Sequence, residues 1–237
     1  MADAVAVIAD LVAANRILLR EGILDAFGHV SARHPDHADR FLLSRNRAPA
    51  LVEAEDILEF DLDGTPVRAD HPPVYLERFI HAAIYRARSD VGAVVHSHSP
   101  SVIPFGAVRD TCLKPVSHMA GFLGAGAPVF EMRECAGPET DLLIRDNALG
   151  DALVGVLANA PVVLMRGHGA TAVGRDIPQA VFHAIYAEWN ARIQLQALAL
   201  GAPVYLTPEE GAAAARANDG QIGRAWEYWK WQTGAAV

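Results

Sequence analysis

The 237-residue chain has only two cysteines, Cys112 and Cys135, which form no close pair and no metal-type spacing. That argues against a disulfide framework and supplies no cysteine-based zinc motif. No run of 18 apolar residues occurs, so no segment is expected to span a membrane. The 20 Lys and Arg residues are outnumbered by 28 Asp and Glu, and they form no basic stripe. A net charge of −8 without such a stripe weighs against a nucleic-acid partner. Internal repeats, low-complexity linkers and composition shifts are also missing, so residues 1–237 read as a single α/β domain. Asp3 precedes the first apolar stretch, with no basic region ahead of it, which gives the cytoplasm as the expected compartment. What the chain does have is apolar content: 51% of its residues are hydrophobic, much of the excess being alanine. That suffices for a sizeable core and is consistent with buried subunit contacts.

The spacing predicts an amphipathic helix over residues 4–21 that stops at Gly22. Short strands are expected in FGHVSAR, RFLLS and ILEFDLDG, with a hairpin turn at Asp61–Gly64. A second helix is expected over Val74–Arg88, then a buried strand, VGAVVHSH. Residues 101–145 read as mixed short strands and loops. APVVLMRGHG is a strand ending in a glycine turn, and TAVG is a short strand after it. Asp176-Ile-Pro-Gln179 opens a helix to about Leu200, and Thr207-Pro-Glu-Glu210 opens a final helix to about Trp231.

Of the ten histidines, three stand out. His96 and His98 end a strand two residues apart, so alternation puts both imidazoles on one face. His168 lies between two glycines after the apolar run VVLM, where the backbone can turn tightly. Three imidazoles at two strand ends suit a divalent ion with positions left open for substrate, the mark of a catalytic metal. Glu77 supplies a carboxylate on the preceding helix, four residues before His81 and on the same face. His81 is expected to be a core or supporting histidine rather than a ligand.

Glu77-x3-His81, AAIYRARSDVGAVVHSHSP and MRGHG, in this order, resemble the class II aldolase/adducin family over nearly the whole chain. The resemblance implies a three-layer α/β/α class II aldolase-like fold with a largely antiparallel central sheet. It implies one divalent ion (manganese, zinc, iron or cobalt) on His96, His98 and His168, with Glu77 as acid/base. It also implies a homotetramer with active sites between subunits, and it brings Tyr228 or Trp226 of the terminal RAWEYWKWQ segment near a neighbour's pocket.

The departures from the family's sugar-phosphate aldolases concern the substrate. Their phosphate-holding pairs are replaced by Gly28-His29 and Ser44-Arg45, and Val74-Tyr75-Leu76 before Glu77 contains no serine. Only Ser44 keeps a hydroxyl, while His29 and Arg45 suit a carboxylate or phenolic oxygen. Met119 stands where those aldolases place a tyrosine, beside His118. GHVSARHP, FLLSRNRAP, YLERFIH and LMRGHGA are more similar to the decarboxylase branch, whose members act on hydroxylated pyridine and phthalate carboxylates. The expectation is a metal-dependent lyase of a small anionic substrate, with Glu77 or His118 as proton donor. An aldolase, a non-haem iron oxygenase and a non-enzymatic adducin-like module are the rival readings.

Overall fold

The computed structural model describes residues 3–235. Helix α1, Ala4–Arg20, is capped by the Asp3 carboxylate and buries Leu11, Ala14, Ile17 and Leu18, the stripe its periodicity dictates. Strands β1 (His29–Arg33), β2 (Arg40–Ser44) and β3 (Ile57–Asp61) follow as an antiparallel meander. After β3, the Asp61 carboxylate accepts from the amides of Asp63 and Thr65, which closes the expected turn. Helix α2 (Arg78–Ala87) then leads into β4 (Ala93–Ser97). The short helix α3 (Ile103–Ala107), a 3-10 turn at His118–Leu123, β5 (Val129–Phe130) and α4 (Arg133–Ala136) come next. The chain continues through α5 (Asn147–Leu157), β6 (Val162–Met165), β7 (Gly169–Gly174) and α6 (Ile177–Leu200). It closes with α7 (Pro208–Asp219) and α8 (Ile222–Thr233).

The seven strands form one sheet in the order β3-β2-β1-β4-β7-β6-β5, antiparallel throughout except for β5 with β6. Alternation divides each strand between two cores. Val30, Ala32, Val95, Leu164 and Ala172 pack under α1, α6 and α8. Phe41, Leu43, Val94, Val163 and Val173 pack under α2 and α5. The result is a three-layer α/β/α fold. Among the described residues no helix is long and apolar enough to cross a membrane.

Four expectations need correction. Helix α2 starts at Arg78 rather than Val74, because residues 74–75 are held as coil over the segment after β2 and 76–77 form a turn: Asn46 N–H donates to the Pro73 carbonyl and the Tyr75 hydroxyl to the Arg47 carbonyl. Glu77 is therefore the residue before the helix. Helix α5 has no counterpart in the sequence reading. Its signal was the Asp146 cap followed by Leu149, Leu153 and Leu157 at i, i+4 spacing, diluted by two glycines. Residues 101–145 hold a single two-residue strand, the rest being loops and short helices. The expected last helix is two, broken at Gly220–Gln221. There the Asn218 side chain turns away to donate to the His118 carbonyl at 2.8 Å. The capping box predicted at Thr207 and Glu210 is present, with both reciprocal bonds.

Candidate active site

The antiparallel register lines up His29, His96 and Thr171 across β1, β4 and β7, all on the face toward α2. His98 follows the end of β4, and its ring meets that of His96 edge-on at 5.2 Å. His168 precedes β7. Gly167, at φ +69°, makes the turn, and Gly169 lets β7 pass the end of β4: a Cβ there would lie 2.1 Å from the Ser97 carbonyl oxygen. This approach brings His168 Nε2 within 3.0 Å of His98 Nε2.

Glu77 completes the cluster from the start of α2. One carboxylate oxygen, Oε1, accepts from the Ile144 amide at 3.1 Å. The other, Oε2, lies 3.5 Å from His96 Nε2 and 3.4 Å from His168 Nε2. The four potential donor atoms of Glu77, His96, His98 and His168 all lie within 4.8 Å of one another. His168 Nδ1–H donates to the Leu142 carbonyl at 2.8 Å, which leaves the Nε2 lone pair facing the cluster. Leu142 itself sits at φ 68°, a conformation a leucine adopts only under constraint from its surroundings.

The donor set fits a divalent cation. His96 Nε2 is buried and has no hydrogen-bond partner, a costly arrangement unless the atom serves as a ligand. Burial, with the neighbouring His96 and His168, lowers the His98 pKa to about 4, so its ring is neutral at pH 7. Burial works to raise the Glu77 carboxyl, but His96 and His168 outweigh it and hold the group far below the usual carboxylate range. Burial lowers His168 as well, yet the Glu77 carboxylate outweighs it and raises the imidazole. The same negative charge would attract a cation.

Glu77 and His98 face a cavity of about 320 Å³, also lined by Phe27, His29, Arg47 and Tyr75. Two expected substrate contacts fall outside it. Arg45 turns away to bind the buried Asp56 through Nε at 2.6 Å and lines a separate groove. Ser44 is buried behind Tyr75, its hydroxyl 3.1 Å from the phenol oxygen. Arg47 reaches the cavity instead, with one guanidinium nitrogen, Nη1, bonded to both Asp56 oxygens at 2.9 and 2.8 Å. Two arginines on one carboxylate leave this corner with one net positive charge. Neither Arg47 nor Tyr75 is singled out by sequence reasoning, although Tyr75 stands only two residues before Glu77.

His118 and Tyr228 lie elsewhere. Both line a cavity of about 610 Å³ with Tyr186 and Trp229, and none of its lining residues is shared with the Glu77 cavity. Within one chain, then, the structure does not bring His118 or Tyr228 to the cluster. On α8, Trp226 and Trp229 are buried, whereas Tyr228 and Trp231 are 54% and 69% exposed.

Fold and site together define a three-layer α/β/α protein with a three-histidine, one-carboxylate donor set opening on a small cavity. Residues 9–195 match the family described as Class II Aldolase and Adducin N-terminal domain, and the chain belongs to that family. It is 39% identical to Decarboxylase tropJ of Talaromyces stipitatus, over 90% of this chain and 88% of that protein. It is 30% identical to 3,4-dihydroxyphthalate decarboxylase of Arthrobacter keyseri, over 84% of this chain and 82% of that protein. The solved L-fuculose 1-phosphate aldolase from Glaciozyma antarctica PI12 superposes with a TM-score of 0.78 at 23% identity, covering 98% of this chain and 91% of that one. That last likeness is one of fold.

Proposed function

We propose that this chain is a divalent-metal-dependent carbon–carbon lyase that decarboxylates a hydroxylated aromatic acid. The observation that carries the reading is the convergence of Glu77, His96, His98 and His168 beside a cavity that also holds Arg47 and His29. The likeness to proteins named as decarboxylases supports it. His96, His98 and His168, with or without Glu77, would hold the ion, and three imidazoles accommodate manganese, zinc, iron or cobalt. When bound, such an ion supplies Lewis acidity that draws electron density toward a substrate oxygen next to the breaking bond.

The chain's own groups do the rest. Arg47 keeps Nε and Nη2 without hydrogen bonds among the described residues, which leaves a fork for a carboxylate. Glu77, held ionised, takes the proton of a substrate hydroxyl on Oε2. As carbon dioxide leaves, the electron pair of the broken bond stays on the ring carbon, and Glu77 returns the proton there. Phe27, Leu76 and Leu143 give the cavity an apolar wall against which an aromatic ring can lie. The assembly that goes with this reading is a homotetramer in which His118 and the exposed Tyr228 reach a neighbour's site.

The test is product analysis. Manganese-loaded protein is incubated with hydroxyphthalates and hydroxypyridine dicarboxylates under argon, and carbon dioxide release is expected. Cleavage of a sugar phosphate to an aldehyde, with no carbon dioxide from any such acid, would establish an aldolase instead. Turnover only with ferrous iron and oxygen uptake would establish an oxygenase.

A further inference from the structure

Behind the cavity wall runs a line of buried polar groups that the metal cluster does not require. On α2, His81 and Tyr85 are four residues apart and share one helix face. On β1, His29 and Ser31 are two apart and share the sheet face beneath it. The two pairs interlock. His29 Nδ1 lies 2.6 Å from His81 Nε2, His81 Nδ1 lies 2.6 Å from Ser31 Oγ, and Ser31 Oγ lies 2.8 Å from the Tyr85 hydroxyl. His81 and Ser31 are 0% exposed and Tyr85 1%, so water cannot complete the pattern.

Such a chain can run in either direction, and its far end decides which. At the Tyr85 hydroxyl the acceptor within reach is Ser31 Oγ; the neighbouring Val94 backbone N–H can only donate. The Arg33 guanidinium, 5.0 Å from the Tyr85 ring centroid, has no acceptor to offer. If Ser31 donated to Tyr85, the phenol proton would be buried without an acceptor, a costly state. With the phenol donating to Ser31, every proton is placed. Ser31 then donates to His81 Nδ1, and His81 Nε2–H donates to His29 Nδ1. Burial supports this pattern by holding His81 neutral, with its pKa lowered to about 3.

We propose that Tyr85, Ser31 and His81 are positioning residues that lock His29 in its Nε2–H tautomer, so that His29 is a hydrogen-bond donor to a substrate oxygen in the cavity. His29 lines that cavity, and Nδ1 is occupied, so Nε2 is its only nitrogen left for a ligand. A ring with its proton on Nε2 is neither a fifth metal ligand nor a base. The identity of the oxygen, carboxylate or phenolic, rests on the decarboxylase reading; the tautomer does not.

The test therefore starts without substrate. In zinc-loaded protein labelled with 15N-histidine, two-bond proton–nitrogen correlations report which nitrogen of each ring carries hydrogen. His29 should show a protonated Nε2 and a bare Nδ1. The reverse pattern overturns the proposal, whatever reaction the protein catalyses. Ser31→Ala removes the donor to His81 and should leave His29 as a mixture of both tautomers with zinc content unchanged. Its affinity for an unreactive hydroxybenzoate should fall by about 5-fold, the worth of one ordinary hydrogen bond. A variant whose His29 remains wholly Nε2–H would show that the chain does not set the tautomer. Should Ser31→Ala fail to fold, the wild-type spectrum alone decides the direction.

Discussion

The two faces of the sheet are cut from the same strands and carry opposite loads. Toward α1, α6 and α8, strands β1, β4 and β7 present Val30, Ala32, Ala93, Val95, Ala170 and Ala172, aliphatic up to the strand-end Ser97. Toward α2 and α5 the alternate positions include His29, Ser31, His96 and Thr171. The pleat thus gives these strands one aliphatic face and one face on which an apolar core is shared with the chemistry. A slip of one residue in β1 would put His29 and Ser31 into the aliphatic layer, so register is under pressure from both sides.

Substitutions on the two faces should therefore have separable effects, and the largest lie in the cluster. His96→Ala, His98→Ala and His168→Ala should each lose bound metal and cut turnover by about 10³-fold or more, since metal assistance is worth several kcal/mol. Elemental analysis is the check, and full occupancy in any one variant removes that residue from the site. Glu77→Gln keeps the shape without the titrating group and should lower turnover by about 10²-fold. A variant with normal metal and normal turnover would make Glu77 structural.

The next contrast lies within the polar side. Arg47→Ala should raise KM for a hydroxy-aromatic dicarboxylate by about 10-fold, less than for a fully buried charge pair because the guanidinium is partly exposed. Arg47→Lys should recover little of it, because an ammonium offers no planar fork. Arg45→Ala should change KM less, since its guanidinium faces another groove. Equal KM effects would erase the distinction between them. Tyr228→Phe should lower turnover by about 5-fold, one hydrogen bond, if α8 completes a neighbour's site. Full activity in sedimentation-verified monomers would sink that assembly. On the aliphatic face, Leu18→Ala should cost about 2–5 kcal/mol of stability while leaving metal content and KM unchanged. Thermal melts alongside elemental analysis separate the two outcomes.

The three histidines that converge with Glu77 were legible in the sequence because their signals are local. A strand-end H-x-H fixes one face, and the glycines around His168 announce a close backbone approach. Arg45 and Arg47 were not separable in this way. Which of them faces the cavity depends on how Asp56, on a later turn, shares its carboxylate between them. His81 was legible as a core or supporting histidine outside the donor cluster, but its partners were not, since Ser31 lies 50 residues away in sequence. The break between α7 and α8 escaped notice because Gly220 sits inside an otherwise helical pattern, where Asn218 is drawn off by the His118 carbonyl. His118 reads as part of the site by its position in sequence. The fold puts it on the other cavity.

The proposed function requires His96, His98 and His168 to hold the ion on which carbon–carbon cleavage depends. It is tested most directly by stripping the protein with a chelator and titrating manganese back under argon, while following carbon dioxide release from 3,4-dihydroxyphthalate. Release should be absent in the stripped protein, rise with added metal and level off at one ion per chain, with His168→Ala silent throughout. Undiminished release from the stripped protein, or full restoration in His168→Ala, would contradict it.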